Sequence, residues 1–126
     1  MSGYVTMTAI PENATKPAMS KFTIYDLERR IGERATTANA EESYTRKLLD
    51  RGVKHCAKKF GEEAVETVLA AVDDDRSRVI AETADLMFHL LVVLKARGIT
   101  LAEVEAVLAE RQSMSGLQEK ALRKGT

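Results

Sequence analysis

The run Leu86-Met87-Phe88-His89-Leu90-Leu91-Val92-Val93-Leu94 constrains this chain more than any other stretch. Nine residues hold one polar side chain, His89, and the neighbouring sequence has helical, not alternating, periodicity. A helix that is apolar on every side must be buried on every side. The ordered part of a 126-residue chain can scarcely surround such a helix alone. The economical solution is a second copy, so an obligate homodimer with this helix at or near the interface is expected.

The rest of the pattern is helical too. Thr23 with Asp26 marks the start of a helix running to about Arg34, and Thr36 to Ala40 reads as a connection. Ser43 to Asp50 forms a short helix closed by Gly52. Val53 to about Val72 forms a longer one, ending in the turn Asp73-Asp74-Asp75. Arg76 to Arg97 follows, then Gly98, and Thr100 with Glu103 has the capping-box spacing for a helix to about Gln112. Gly116 to Thr126 reads as one further turn or two. The expected fold is all-α, a bundle of four to five helices. Residues 1–20 carry both prolines and no period, and read as a flexible tail preceding an all-α domain over 21–126.

Charge narrows the function. Nineteen basic and 19 acidic residues balance, which argues against a nucleic-acid binder working through a global basic excess. No apolar run reaches the roughly 18 residues of a membrane span, and the N-terminus lacks a signal-peptide pattern, so a cytoplasmic location is expected. The single cysteine, Cys56, excludes an intrachain disulfide or a Cys-rich zinc site. It falls on the apolar face Val53, Cys56, Phe60, Ala64, Val68 and Val72, where it reads as a small core hydrophobe.

The chemistry-bearing residues lie at Gly61-Glu62-Glu63-Ala64-Val65-Glu66 and Glu82-Thr83-Ala84-Asp85. Residues three apart on a helix are surface neighbours, so Glu63 and Glu66 share a face, as do Glu82 and Asp85. Counted from Asp74, Glu66 and Glu82 are equidistant, as are Glu63 and Asp85. An antiparallel hairpin would thus set them in two level rungs. Such a cluster ionises fully only around a cation, and oxygen-only ligands select Mg²⁺, or Mn²⁺, over zinc. Glutamate-rich helical faces are more often simply solvated; the symmetry about the turn and the flanking apolar stretches favour a metal site.

The pairing of E-E-x-x-E with E-x-x-D resembles the signature of the all-α nucleoside-triphosphate pyrophosphohydrolases, the MazG-like superfamily. Within it, SYTRKLLDRGVKHCAKKFGEEAVETVLAA and AETADLMFHLLVVLKARGITLAEVEAVLAER are similar to the phosphoribosyl-ATP pyrophosphatases. The resemblance spans roughly residues 22–124. It implies hydrolysis of phosphoribosyl-ATP to phosphoribosyl-AMP and pyrophosphate, the second step of histidine biosynthesis. It implies a metal held by Glu63, Glu66, Glu82 and Asp85, with Glu62 a further ligand or the group that orients the attacking water. Lys47, Arg51, Lys58 and Lys59 are the candidates for the substrate's phosphates. His89 is expected to make a buried polar contact, and Tyr44 either stacks on a base or packs. Two other readings stay open: a housekeeping nucleoside-triphosphate pyrophosphatase, and a non-catalytic helical dimerisation module with wet acidic faces.

Overall fold

The structure is a computed structural model, and it describes residues 21–37, 39–41, 43–113 and 116–124. Six helices follow one another: α1 (Ile24–Thr37), α2 (Tyr44–Asp50), α3 (Val53–Val72), α4 (Arg76–Ala96), α5 (Leu101–Gln112) and α6 (Gly116–Lys124). No strand occurs among the described residues. The flexible tail expected over residues 1–20 lies outside them.

The boundaries follow from caps. At the head of α1, Thr23 Oγ1 accepts from the Asp26 amide at 3.1 Å, and the Asp26 carboxylate accepts from the Thr23 amide at 2.8 Å. Ser43 caps α2 by accepting from the Arg46 amide at 3.1 Å. Thr100 and Glu103 form the full capping box at α5. Each such cap satisfies amides that the first helical turn leaves without a partner. After α4, Gly98 takes φ of 71°, with its amide on the Lys95 carbonyl and the Ile99 amide on the Leu94 carbonyl. This Schellman ending requires the left-handed conformation that glycine adopts freely.

Helices α3 and α4 form an antiparallel hairpin whose three-aspartate turn divides its labour. Asp73 caps the end of α3, Asp74 takes the left-handed conformation (φ 59°), and Asp75 caps α4 by accepting from the Arg78 amide. Short side chains that bond their own backbone tolerate such geometry.

The core lies in the half of the hairpin remote from this turn. Ile31 of α1, Leu48 of α2, Cys56 of α3, Leu91 and Val92 of α4 and Leu101 of α5 form one buried cluster. Glu28 of α1 ties in the start of α5, accepting from the Leu101 amide at 2.8 Å. Cys56 is fully buried and its thiol donates to the Leu48 carbonyl, while burial pushes its pKa up. It is a packed hydrophobe, not a nucleophile.

Two expectations change. The segment Gly116–Lys124 is a nine-residue helix, α6, so the helices among the described residues number six and not four to five. The apolar face of α3 is not buried along its length: Cys56 is covered, but Val68 is 60% and Val72 77% exposed. Among the described residues, α1 and α2 cover only the remote half, and Val65, Val68, Leu69 and Val72 nearer the turn are left about half exposed or more.

Candidate active site

The acidic cluster is built on the facing sides of α3 and α4. One carboxylate oxygen each from Glu63, Glu82 and Asp85 lie within 4.8 Å of one another. Glu63 and Glu82 are half-buried and Asp85 is exposed. Glu82 has its pKa raised, first by burial, then by a hydrogen bond to Glu63 that needs the proton, then by the charges of Glu63, Glu66 and Asp85. A carboxyl whose neighbours push it toward protonation is one that a cation would relieve.

Opposite oxygens around an octahedral Mg²⁺ stand about 4.2 Å apart, twice the ligand distance of about 2.1 Å. The 4.8 Å within which the three oxygens lie is close to that separation. The donor set is oxygen only. These residues therefore fit a hard divalent cation.

The fourth carboxylate of the expected set stands apart. Glu66 is bound by Arg78, whose guanidinium lies 3.3 Å from it and 3.3 Å from Asp73. Arg78 lies four residues before Glu82 on the same face of α4. The Glu63 carboxylate is the one grouped within 4.8 Å of Glu82 and Asp85, while that of Glu66 pairs with Arg78. The Glu66 charge still reaches Glu82.

Glu62 faces a different environment. Lys59 sits 3.1 Å and Lys58 3.9 Å from its carboxylate. The Lys59 hydrogen bond, and then its charge, hold the Glu62 pKa below the usual range, while the same contact raises that of Lys59.

On the far side of Lys59 a cavity of about 250 Å³ is lined by Tyr44, Lys47, Leu48, Arg51, His55 and Lys59. It brings Lys47, Arg51 and Lys59 together; Lys58 is not part of its lining. Sequence reasoning missed His55. The signal was present: His55 precedes Lys58 and Lys59 by three and four residues and so shares their side of α3. Tyr44 stacks on Phe88 with ring centroids 6.1 Å apart and meets His89 edge-on at 6.1 Å. His89, expected to make a buried polar contact, is 5% exposed, and its Nδ1 finds no hydrogen-bond partner among the described residues. Burial first, and then the Lys59 charge, lower its pKa.

Fold and site together define an all-helical protein with a convergent carboxylate cluster on a helical hairpin, bordered by a basic cleft. The sequence profile described as phosphoribosyl-ATP pyrophosphohydrolase matches residues 24–112. The chain is 67% identical to phosphoribosyl-ATP pyrophosphatase 1 of Bradyrhizobium diazoefficiens over 106 residues, 84% of this chain and 99% of the relative. It is 61% identical to phosphoribosyl-ATP pyrophosphatase 1 of Rhodopseudomonas palustris over 84% of this chain and 98% of that protein. It is 59% identical to the phosphoribosyl-ATP pyrophosphatase of Nitrobacter winogradskyi over 89% and 96%. The chain belongs to the phosphoribosyl-ATP pyrophosphohydrolase family.

Proposed function

We propose that this chain hydrolyses phosphoribosyl-ATP to phosphoribosyl-AMP and pyrophosphate, the second step of histidine biosynthesis, in the cytoplasm. The convergence of Glu63, Glu82 and Asp85, in a chain that shares most of its length with phosphoribosyl-ATP pyrophosphatases, carries this reading. Glu63, Glu82 and Asp85 would hold Mg²⁺, or Mn²⁺ in its place, and Glu66 would join them on leaving Arg78. When bound, the ion neutralises the phosphoanhydride oxygens and lowers the pKa of a coordinated water.

The chain's own residues then divide the remaining work. Glu62, kept ionised by Lys59, is an acceptor and orients the attacking water by taking a hydrogen bond from it. Lys58 and Lys59 offset phosphate charge beside Glu62, and Lys47 and Arg51 meet phosphate from α2 and its end.

The reading includes a homodimer. On α3, Val65, Val68, Leu69 and Val72 are all roughly half exposed or more, at the spacing of one helical face. On α4, Ile80 and Met87 are exposed at the same spacing. A second copy laid on this half of the hairpin would cover them.

The test is pyrophosphate release from phosphoribosyl-ATP against a panel of ordinary triphosphates, with and without Mg²⁺. Strong preference for phosphoribosyl-ATP and dependence on the ion support the proposal. Equal turnover of ATP or dUTP would instead mark a housekeeping triphosphate pyrophosphatase.

A further inference from the structure

The basic cavity and the acidic cluster have opposite electrostatic character, yet Lys59 borders both. Its Nζ is 3.1 Å from Glu62, and it also lines the cavity with Lys47, Arg51 and His55. No carboxylate contributes to that lining. Among the described residues neither Lys47 nor Arg51 forms an ion pair, whereas Lys58, Lys59 and Arg78 all do. The field there is positive enough to be felt by His55. After burial, the charges of Arg51, Lys58 and Lys59 are what lower its pKa. Unpaired cations around a cavity with no acidic wall select an anion that arrives without a metal of its own.

A phosphoribosylated ATP has two anionic ends. Its triphosphate matches the carboxylate cluster only when a cation intervenes. Its second end is a phosphomonoester on the added ribose, which ATP lacks. We propose that the cavity binds this ribose phosphate, and that Arg51 and His55 are the residues that separate phosphoribosyl-ATP from ATP. The assignment rests on the function proposed above. Arg51 suits the task because its planar fork can engage two phosphate oxygens at once. His55, projecting from the first turn of α3, closes the cavity from the opposite element and contributes a ring N–H. Tyr44, half exposed and stacked on Phe88, stands at the cavity's edge and offers the free face of its ring to the nucleoside between the two ends. Lys58, engaged with Glu62 and outside the lining, stays on the triphosphate side, and Lys59 stands between the two.

The experiment compares kcat/KM for phosphoribosyl-ATP and for ATP in the full-length wild type, Arg51→Gln and His55→Gln. The expected result is a fall of tenfold or more in the ratio of the two values for Arg51→Gln, and a smaller fall for His55→Gln. A ratio that stays fixed while both activities drop would show that the cavity holds polyphosphate, and would overturn the assignment. Binding gives a second readout that does not depend on the variants folding. Ribose 5-phosphate should compete with phosphoribosyl-ATP in the wild type, and ribose should not; absence of competition at millimolar ribose 5-phosphate contradicts the assignment. A wild type without activity on phosphoribosyl-ATP would remove the proposed function itself, which is a different outcome from a fixed ratio.

Discussion

Arg78 reaches from the first turn of α4 back to Glu66 on α3, with its guanidinium 3.3 Å from the carboxylate. The contact gives one carboxylate of the acidic face a cationic partner, while the other three lie within 4.8 Å of one another. If Glu66 is a metal ligand, Arg78 competes with the ion for it. Arg78→Gln should therefore lower the Mg²⁺ concentration needed for half-maximal thermal stabilisation, by a few-fold. An unchanged or higher requirement would show that Glu66 stays with Arg78 in the loaded protein.

The raised pKa of Glu82 has a consequence for stability in the presence of chelator. Its folded-state pKa lies above the unfolded value, so the metal-free folded protein binds more protons than the unfolded chain in that window. Stability carried by this group is present at low pH and is lost as pH rises through the raised value. Thermal melts from about pH 4 to 8 should show the wild type losing stability relative to Glu82→Gln as pH increases. Parallel curves for the two proteins would contradict the crowding of Glu63, Glu82 and Asp85.

Exposed valines on α3 test the assembly. Val68 is 60% exposed, so an aspartate there leaves the core of one protomer untouched. Val68→Asp should weaken dimerisation by tenfold or more in analytical ultracentrifugation. Its effect on protomer stability should stay within about 0.5 kcal/mol, as for surface changes away from special features. A wild type that sediments as a monomer at micromolar concentration would reject the dimer.

The helices were legible because local chemistry sets their ends. Ser43, Thr100 with Glu103, and Gly98 each act within a turn of their own position, so their roles can be read without a partner helix. The register of the α3–α4 hairpin was legible from the Asp73–Asp75 turn, which brings Glu63 to Asp85 as the counting expected. What escaped depends on competition or on coverage. Arg78 takes Glu66 by opposite charge, which an inspection of carboxylates alone does not reveal. His55 joins Lys47 and Arg51 only because α2 folds back on α3 across Gly52 (φ 95°). Val68 and Val72 share a stripe with Cys56, but the lengths of α1 and α2 decide how far along it the cover extends.

The most direct test of the account is a threefold measurement on Glu82→Gln: activity on phosphoribosyl-ATP, melting temperature in chelator, and the shift of that temperature on adding Mg²⁺. Removing one charge and one oxygen ligand from the cluster should cut activity by several orders of magnitude. The metal-free protein should melt at the same temperature or higher, since a repelling carboxylate is gone. The Mg²⁺ shift should shrink, because an ion that binds only the folded state stabilises according to its affinity. Retained activity with an undiminished Mg²⁺ shift would contradict a metal site built on Glu63, Glu82 and Asp85.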